Sequence, residues 1–242
     1  MKTLLIGTSG WSYKHWKGVF YPEKLPQNRW LPFYAEHFKT VEINMTFYRT
    51  PTEKTVAGWI EKTPDDFFFT IKASRYITHV RRTDSIDESL EKLYSLMERF
   101  GRKGICVLFQ LPPSFHRDAV SMQRIDALLG MLDRGYDHAF EFRHTSWWTD
   151  EGYELLRGRA AFCTVNGLGM PDDTVATDRI AYFRFHGNRY DTSYSDEELS
   201  RFAERIISIL QEGTERVYVY FNNDLHGYAV QNAKRLRELL TE

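Results

Sequence analysis

The sequence predicts an α/β protein, a (β/α)8 barrel of the TIM type whose parallel sheet closes on itself. Short apolar runs alternate with amphipathic helical patterns along the chain, as in proteins built from strand–helix units. Eight such runs occur within 242 residues, which is a typical content for this barrel. The predicted strands cover residues 4–8, 40–44, 67–72, 105–110, 139–143, 161–165, 180–186 and 217–222.

Helical patterns fill most of the gaps between these strands. Two of the helices begin at capping boxes, in which a serine and a glutamate three residues later each satisfy a free amide of the first turn. These boxes start at Ser85 and Ser195, and Gly101 ends the first of the two helices. The other predicted helices cover residues 30–38, 52–62, 118–133, 149–157 and 228–240.

The gap between the sixth and seventh strands departs from this pattern. Residues 166–178 contain Gly167, Gly169 and Pro171 and show no apolar period. We therefore expect a weak helix there, or none. No linker, repeat or low-complexity tract divides the chain, so residues 1–242 are expected to form one barrel domain.

An open doubly wound sheet is the alternative fold. Such a sheet usually binds a nucleotide through a glycine-rich turn after its first strand. Here that turn, residues 7–11, has the sequence Gly-Thr-Ser-Gly-Trp, which lacks the G-x-G-x-x-G spacing and places a bulky tryptophan in the turn. The closed barrel is favoured.

Composition argues against several classes of protein. The formal net charge of −1 gives no global positive excess for nonspecific binding to nucleic acid or membranes. No apolar stretch approaches the roughly 20 residues of a membrane span, and the short run that ends at Gly7 fits a first strand better than a secretory signal. Cys106 and Cys163 lie within apolar runs, so buried, reduced thiols are expected. We expect a cytoplasmic protein with no membrane association and no evident protein partner.

Alternation along the strands places charged side chains inside the barrel. Successive side chains of a strand point to opposite faces, and the face that meets the helices must be apolar. Val41 and Ile43 then pack against helices, and Glu42 points into the lumen. Six strands give the same result, with a polar residue at the carboxyl end, where barrel active sites are built. The lumen-facing set is Glu42, Asn44, Lys72, Gln110, Glu141, Arg143, Arg184, His186 and Asn222.

Four of these residues are candidate catalytic groups: Glu42, Lys72, Glu141 and His186. The two carboxylates could divide the roles of general acid and base if their surroundings separate their pKa values. Lys72 could act as an electrophile, or as a Schiff-base amine if burial near Arg143 depresses its pKa. The alternative is a structural salt-bridge network, Glu42 with Lys72 and Glu141 with Arg143 or Arg184. No local metal-ligand motif such as H-x-x-x-H is present, so no metal is predicted and the cofactor stays open.

Positive residues outnumber negative ones at this end of the barrel, which favours an anionic ligand such as a phosphate. One arginine guanidinium can donate two parallel hydrogen bonds to two oxygens of the same phosphate or carboxylate. In barrels a phosphate commonly lies at the loops after the last two strands, and these loops contain Gly187 and Gly227, whose backbone amides can approach an anion. The predicted substrate-binding residues are Trp11, Asn44, Gln110, Arg143, Arg184, Arg189, Asn222 and Asn223.

Short motifs at the strand ends match those of a known family. They are GTSGWSY (7–13) with FYP (20–22), VEINMTFY (41–48), FTIK (69–72) with TH (78–79), QLPPSF (110–115), EFRH (141–144) with SW (146–147), RFHG (184–187), and FNND (221–224) with GYA (227–229) and NA (232–233). On these motifs, which run from the first strand to the last helix, the chain resembles the YecE-like family, also called domain of unknown function seventy-two. The resemblance implies a TIM-type barrel and supplies no reaction, substrate or cofactor.

Two functions remain open at this point. The first is an enzyme, a hydrolase, lyase or isomerase, that acts on a phosphorylated or other anionic small molecule or on a nucleic-acid end. The second is a noncatalytic barrel that binds a nucleotide, a sugar or a nucleic-acid segment. Carboxylates that are all paired to arginines would favour binding, whereas a phosphate or metal against Glu42 or Glu141 would favour catalysis, because the fold itself supports many chemistries.

Overall fold

Eight parallel strands form the nearly closed barrel that the sequence predicts. The computed structural model describes residues 2–79, 86–187 and 192–241. Each strand from the second to the eighth pairs in parallel with its neighbour in sequence, and the first pairs with the eighth. The strands are β1 (Thr3–Thr8), β2 (Thr40–Ile43), β3 (Phe68–Lys72), β4 (Gly104–Leu111), β5 (Asp137–Phe142), β6 (Ala161–Asn166), β7 (Ile180–Phe185) and β8 (Arg216–Phe221).

The predicted helices lie where expected, with ends that differ by at most a few residues. Ser195 forms its capping box, because its side chain accepts from the Glu198 amide while the Glu198 side chain accepts from the Ser195 amide. Ser85, the other predicted cap, lies outside the described residues. The helices are α1 (Trp30–His37), α2 (Glu53–Glu61), α3 (Arg75–Thr78), α4 (Ile86–Phe100), α5 (Ala119–Gly130), α6 (Asp150–Leu156), α7 (Asp196–Gln211) and α8 (Tyr228–Leu239).

The connection between β6 and β7 contains no helix, as its sequence predicts. Residues 167–179, all of them described, follow an irregular path. Thr177 fastens the end of this segment to the barrel: its hydroxyl accepts from the Phe162 amide at 2.8 Å and donates to the Ala160 carbonyl at 2.7 Å. The end of this segment is thus held against the barrel by specific polar contacts and not by an apolar helical face.

Two apolar layers confirm the predicted alternation. The larger lies between the strands and the helices and contains the outward-facing Val41, Ile43, Phe140 and Phe142 together with buried helix residues. The smaller fills the lumen below the charged residues, and all of its buried side chains come from strands. They are Leu5, Cys106, Leu108, Ala139, Ala161, Cys163, Val165, Ile180, Tyr182, Tyr218 and Tyr220. Both cysteines are buried and free, as expected.

The first and second strands meet in a seam that differs from the other strand pairs. An isolated parallel bridge joins Ser9 to Glu42 there. Closer to the amino ends of the two strands, the Tyr34 hydroxyl of α1 accepts from the Thr8 amide at 2.9 Å and donates to the Thr40 carbonyl at 3.1 Å. A Cβ on Gly7 would lie 2.3 Å from the Thr40 carbonyl oxygen, so only glycine allows this close approach.

Among the helices of the described ranges, none is long and apolar enough to cross a membrane.

Candidate functional site

Three strands contribute a buried ion cluster at the carboxyl end of the barrel. Arg184, at the end of β7, is 1% exposed, and Glu42 of β2 and Glu141 of β5 are fully buried. The Arg184 guanidinium lies 2.7 Å from Glu42 Oε1 and 2.5 Å from Glu141 Oε2. One arginine therefore bridges both carboxylates across the lumen, and Glu42 pairs with Arg184 rather than with Lys72.

Glu42 has polar partners at both of its oxygens. Ser9 donates to Oε1 at 2.7 Å, alongside Arg184, and the Tyr182 hydroxyl donates to Oε2 at 2.5 Å. Burial, assisted by the nearby Glu42 charge, raises the pKa of Tyr182 well above its usual range, so the hydroxyl stays a donor. Both carboxylate oxygens of Glu42 are therefore occupied by donors from the barrel itself.

Glu141 is held between two guanidinium groups. Arg143, two residues further on, donates to Oε1 while Arg184 holds Oε2. Burial alone would raise the pKa of Glu141, but the charges of Arg143 and Arg184 outweigh it and hold the pKa well below its usual range. Glu141 is thus ionised at neutral pH, which removes its capacity to donate a proton.

His186 and Asn222 lie beside this pair of charges. His186 is fully buried, and burial together with Arg184 lowers its pKa well below the usual range, so the ring is neutral. Its Nε2 lies 3.3 Å from an Arg143 nitrogen and its Nδ1 lies 3.1 Å from the Asn222 amide nitrogen. The ring connects the loop after β5 to the loop after β8.

Lys72 differs from the arginines in its partner. Its amine donates to Gln110 Oε1 at 2.7 Å and lies 4.6 Å from the centre of the Phe47 ring. Within the described ranges, no carboxylate is within ion-pair distance of this amine. Burial, then the positive charge of Arg184, lowers the pKa of Lys72 from 10.5 to about 8. A lysine with such a pKa carries a neutral amine in a useful fraction of molecules.

The predicted substrate-binding residues fall into two groups in the structure. Gln110, Arg143 and Asn222 surround the ion cluster, and Trp11 and Asn44 line a separate cavity of about 690 Å³ beside it. The remaining three predicted residues are Arg184, Arg189 and Asn223.

Arg189 lies outside the described residues. Asn223 is fully buried and its side-chain nitrogen donates to the Thr192 carbonyl and to Asn232 Oδ1, each at 2.9 Å. This side chain therefore ties the loop after β8 to α8, and Arg184 is likewise occupied by its two carboxylates.

Sequence reasoning missed three residues that shape the cluster: Ser9, Tyr182 and Phe47. Tyr182 could have been found, because it has the same strand parity as Arg184 and His186. Ser9 continues the inward face of β1 one residue past the predicted strand end. Phe47 gave no such signal, since it lies in a short helical turn, Met45–Phe47, after β2.

A metal site was a further alternative for these carboxylates and histidines. In the ranges 2–79, 86–187 and 192–241, no group of three or more His, Cys, Asp or Glu side chains is arranged to hold an ion.

Comparison with protein families gives a match over nearly the whole chain. The family described as "Protein of unknown function DUF72" matches residues 5–242. The chain belongs to the DUF72 family. The resemblance inferred from the strand-end motifs is thereby confirmed.

Relatives of this DUF72 chain occur in several bacteria. UPF0759 protein YunF of Bacillus subtilis (strain 168) is 26% identical in an alignment that spans 98% of this chain and 94% of YunF. UPF0759 protein YecE of Escherichia coli (strain K12) is 30% identical over 164 residues, 64% of this chain and 54% of YecE.

Two solved DUF72 structures share the fold. A DUF72 family protein from Thermotoga maritima MSB8 is 33% identical, with a TM-score of 0.87 over 99% of this chain and all of its own. Another, from Enterococcus faecalis V583, is 20% identical, with a TM-score of 0.83 over 99% of this chain and 96% of its own. The barrel is therefore the shared architecture of these DUF72 proteins.

Proposed function

We propose that this chain is an enzyme that acts on a phosphorylated or other anionic small molecule at the mouth of the barrel, with Lys72 as its reactive group. The observation that carries the proposal is the environment of the Lys72 amine. It is bonded to a neutral amide, Gln110, at 2.7 Å, and its pKa is lowered to about 8. Structural lysines usually reach a carboxylate or water; this one is buried, and burial, followed by the positive charge of Arg184, depresses its proton affinity.

The charge balance of the cluster supports an anionic ligand. Arg143 and Arg184 neutralise Glu141 and Glu42 through the contacts described above. Lys72 is then one positive charge in excess of the two carboxylates. A phosphate or carboxylate group of a substrate would complete the pairing, and it would do so in a partly buried site, where charge-assisted hydrogen bonds are strongest.

The lowered pKa favours chemistry at the lysine nitrogen. With a pKa of about 8, roughly a tenth of the amine is unprotonated at pH 7. The neutral amine can take a proton from carbon, or its nitrogen can attack a carbonyl carbon to give a Schiff base, with the carbonyl oxygen and the two amine protons leaving as water. Lyase and isomerase reactions of anionic aldehydes and ketones fit this better than hydrolysis, because Glu141 is held ionised by two arginines and is a poor proton donor.

The experiment is a reductive trap. The purified protein is incubated with phosphorylated aldehydes and ketones, reduced with borohydride and digested for mass spectrometry, while product formation is followed by NMR. We expect a secondary amine at Lys72 and turnover of at least one substrate, both lost in Lys72→Met. Lys39→Met, which changes an exposed lysine just before β2, is the control and should behave as wild type. Turnover that survives in Lys72→Met, or the absence of both turnover and adduct, would overturn the proposal.

A noncatalytic binding barrel is the second candidate, and one observation favours it. Both buried carboxylates are paired to arginines, which is the arrangement expected of a site that only binds. The same assay separates the two, since a binding protein retains the ligand without product or adduct.

A further inference from the structure

A cavity of about 470 Å³ lies between the loop after β2, the end of β3 and α4. Its lining includes three cationic residues, Arg49, Lys72 and Lys92, and one carboxylate, Glu88. The volume falls within the range of sites that enclose small organic ligands. Because Lys72 is one of the lining residues, a small molecule in this cavity can meet the reactive group of the proposed function.

The turn after β2 links Arg49 to Lys72. The Thr46 hydroxyl donates to the Lys72 carbonyl at 2.7 Å, which holds the turn on the end of β3. The centre of the Phe47 ring lies 4.6 Å from the Lys72 amine, and the Arg49 amide donates to the Met45 carbonyl at 3.1 Å. Arg49 follows Phe47 by two residues, a chain length of at most about 7 Å. One fixed turn therefore places a ring beside the amine and an arginine in the cavity.

The charges of the cavity leave positive charge available for a ligand. In the part of the chain that the structure describes, no carboxylate lies within ion-pair distance of the Arg49 guanidinium. Lys92 pairs with Glu88 at 2.6 Å within α4, where the two side chains are 68% and 65% exposed. Exposed pairs of this kind contribute little net free energy, so Lys92 can turn to a ligand at little cost.

Schiff-base chemistry requires that the anionic group of the substrate be held away from the lysine that reacts. The Lys72 nitrogen must approach the carbonyl carbon, so it cannot also hold the phosphate of the same molecule. Arg49 and Lys92 can hold it instead, because a guanidinium donates to two phosphate oxygens and an ammonium to a third. The excess positive charge of the ion cluster attracts the anion to the cavity and leaves the amine free.

We propose that Arg49 and Lys92 bind the phosphate of a small phosphorylated aldehyde or ketone whose carbonyl carbon lies at the Lys72 amine. The inference rests on the proposed function for the role of Lys72. It adds the residues that select a phosphorylated substrate, and neither of them was predicted from the sequence.

A ligand without a carbonyl group tests the phosphate site alone. Glycerol 3-phosphate and glycerol are titrated into the protein by calorimetry, and we expect only the phosphorylated compound to bind. Arg49→Met and Lys92→Met should each weaken its binding by roughly 10-fold, the loss of one hydrogen bond to a charged group. Lys72→Met should weaken it less than either, because the phosphate is not held by that amine.

Two exposed ion pairs elsewhere in the chain provide matched controls. Arg102 lies 2.8 Å from Asp65, and Lys39 lies 2.7 Å from Asp66, all outside the cavity. Arg102→Met and Lys39→Met remove cations of the same two kinds and should bind glycerol 3-phosphate as wild type does. Thermal melts check that every variant is folded.

The reductive trap places the carbonyl group relative to the phosphate. Glyceraldehyde 3-phosphate and glyceraldehyde are each incubated with the protein and cyanoborohydride over a range of concentrations, and the adduct at Lys72 is quantified by mass spectrometry. In wild type, half-maximal labelling should need at least 10-fold less of the phosphorylated aldehyde. This preference should fall by roughly 10-fold in Arg49→Met and in Lys92→Met.

The outcomes separate the phosphate site from the proposed function. The phosphate site is wrong, and the chemistry of Lys72 stands, if the two aldehydes label Lys72 equally well in wild type. It is also wrong if glycerol 3-phosphate does not bind, or binds to Arg49→Met and Lys92→Met as tightly as to wild type. If glycerol 3-phosphate binds through both residues and no adduct forms at Lys72, the proposed function is wrong and the phosphate site stands.

Discussion

Burial and the positive charge of Arg184 act against protonation of Lys72. The unfolded chain exposes the amine, whose pKa is then close to 10.5, and the folded chain lowers it to about 8. Between these values the unfolded state binds more protons than the folded state. The free energy of unfolding therefore increases with pH across this window.

A comparison of wild type with Lys72→Met isolates this effect. Below pH 8 the wild type carries the full cost of a charged, buried amine, and above pH 10.5 it carries none. The stability of wild type relative to the variant should rise by up to about 3 kcal/mol across that window. Urea denaturation of both proteins at intervals from pH 7 to 10.5 measures this difference, and other titrating groups cancel. A difference that does not change with pH would contradict the lowered pKa.

For individual residues, the sequence predicts which side chains point into the lumen better than it predicts which of them form ion pairs. Strand alternation placed Glu42, Glu141 and Arg184 in the lumen, because the residues before and after each of them in its strand are apolar and must face the helices. It did not give the partner of Glu42: the salt-bridge network considered from the sequence paired Glu42 with Lys72, whereas Glu42 pairs with Arg184. That choice depends on distances across the lumen, which follow from strand tilt and stagger and are not encoded in any one strand.

At the scale of elements, the seam between β1 and β2 depends on one hydroxyl from α1. The Tyr34 hydroxyl stands between the Thr8 amide and the Thr40 carbonyl, where other strand pairs bond directly. Tyr34→Phe removes it and leaves two buried backbone groups unpaired. We expect a loss of about 1–3 kcal/mol in the free energy of unfolding, measured by chemical denaturation.

Tyr153→Phe is the matched control for this change. The Tyr153 hydroxyl is also buried, but it has no hydrogen-bond partner among the described residues. Its removal should be neutral or slightly stabilising, because no bond is lost. Equal effects of the two substitutions would show that the Tyr34 hydroxyl does not join the strands.

The elements that the sequence predicted well are those with end signals. Ser195 begins α7 through its capping box, and the apolar period of the following residues carries the helix. The four-residue α3 and the helical turn at Met45–Phe47 were not predicted, because segments of three or four residues are too short to show a period. The turn at Met45–Phe47 positions the Phe47 ring beside Lys72. Because the turn was not predicted, this contact of the site was not predicted either.

At the scale of the whole molecule, Arg184 connects β7 to β2 and β5 through its two buried carboxylates. Arg184→Met leaves Glu42 and Glu141 with fewer compensating charges. We expect a loss of about 3–5 kcal/mol in the free energy of unfolding, as for other buried ion pairs that lose one partner. Adding Glu42→Gln and Glu141→Gln should restore part of it, since the stranded charges are then gone.

An exposed ion pair provides the control for that measurement. Lys39 and Asp66 lie 2.7 Å apart with side chains 58% and 62% exposed, so Lys39→Met should change stability by no more than about 1 kcal/mol. If Arg184→Met lowers the free energy of unfolding by no more than Lys39→Met does, the three strands are not held together by this arginine.

The pairing of β1 with β8 also has a consequence for the order in which the chain folds. The ladder partners of Thr3 and Thr8 are Arg216 and Phe221, so β1 acquires its neighbour from the opposite end of the chain. During synthesis, this strand emerges first and completes its ladder only after the last strand has been made. Contacts between distant parts of a chain are slow to form, because the intervening loop must close first. Ser9 follows that strand and bonds to Glu42, so the strand that closes the ring with β8 also leads into one contact of the ion cluster.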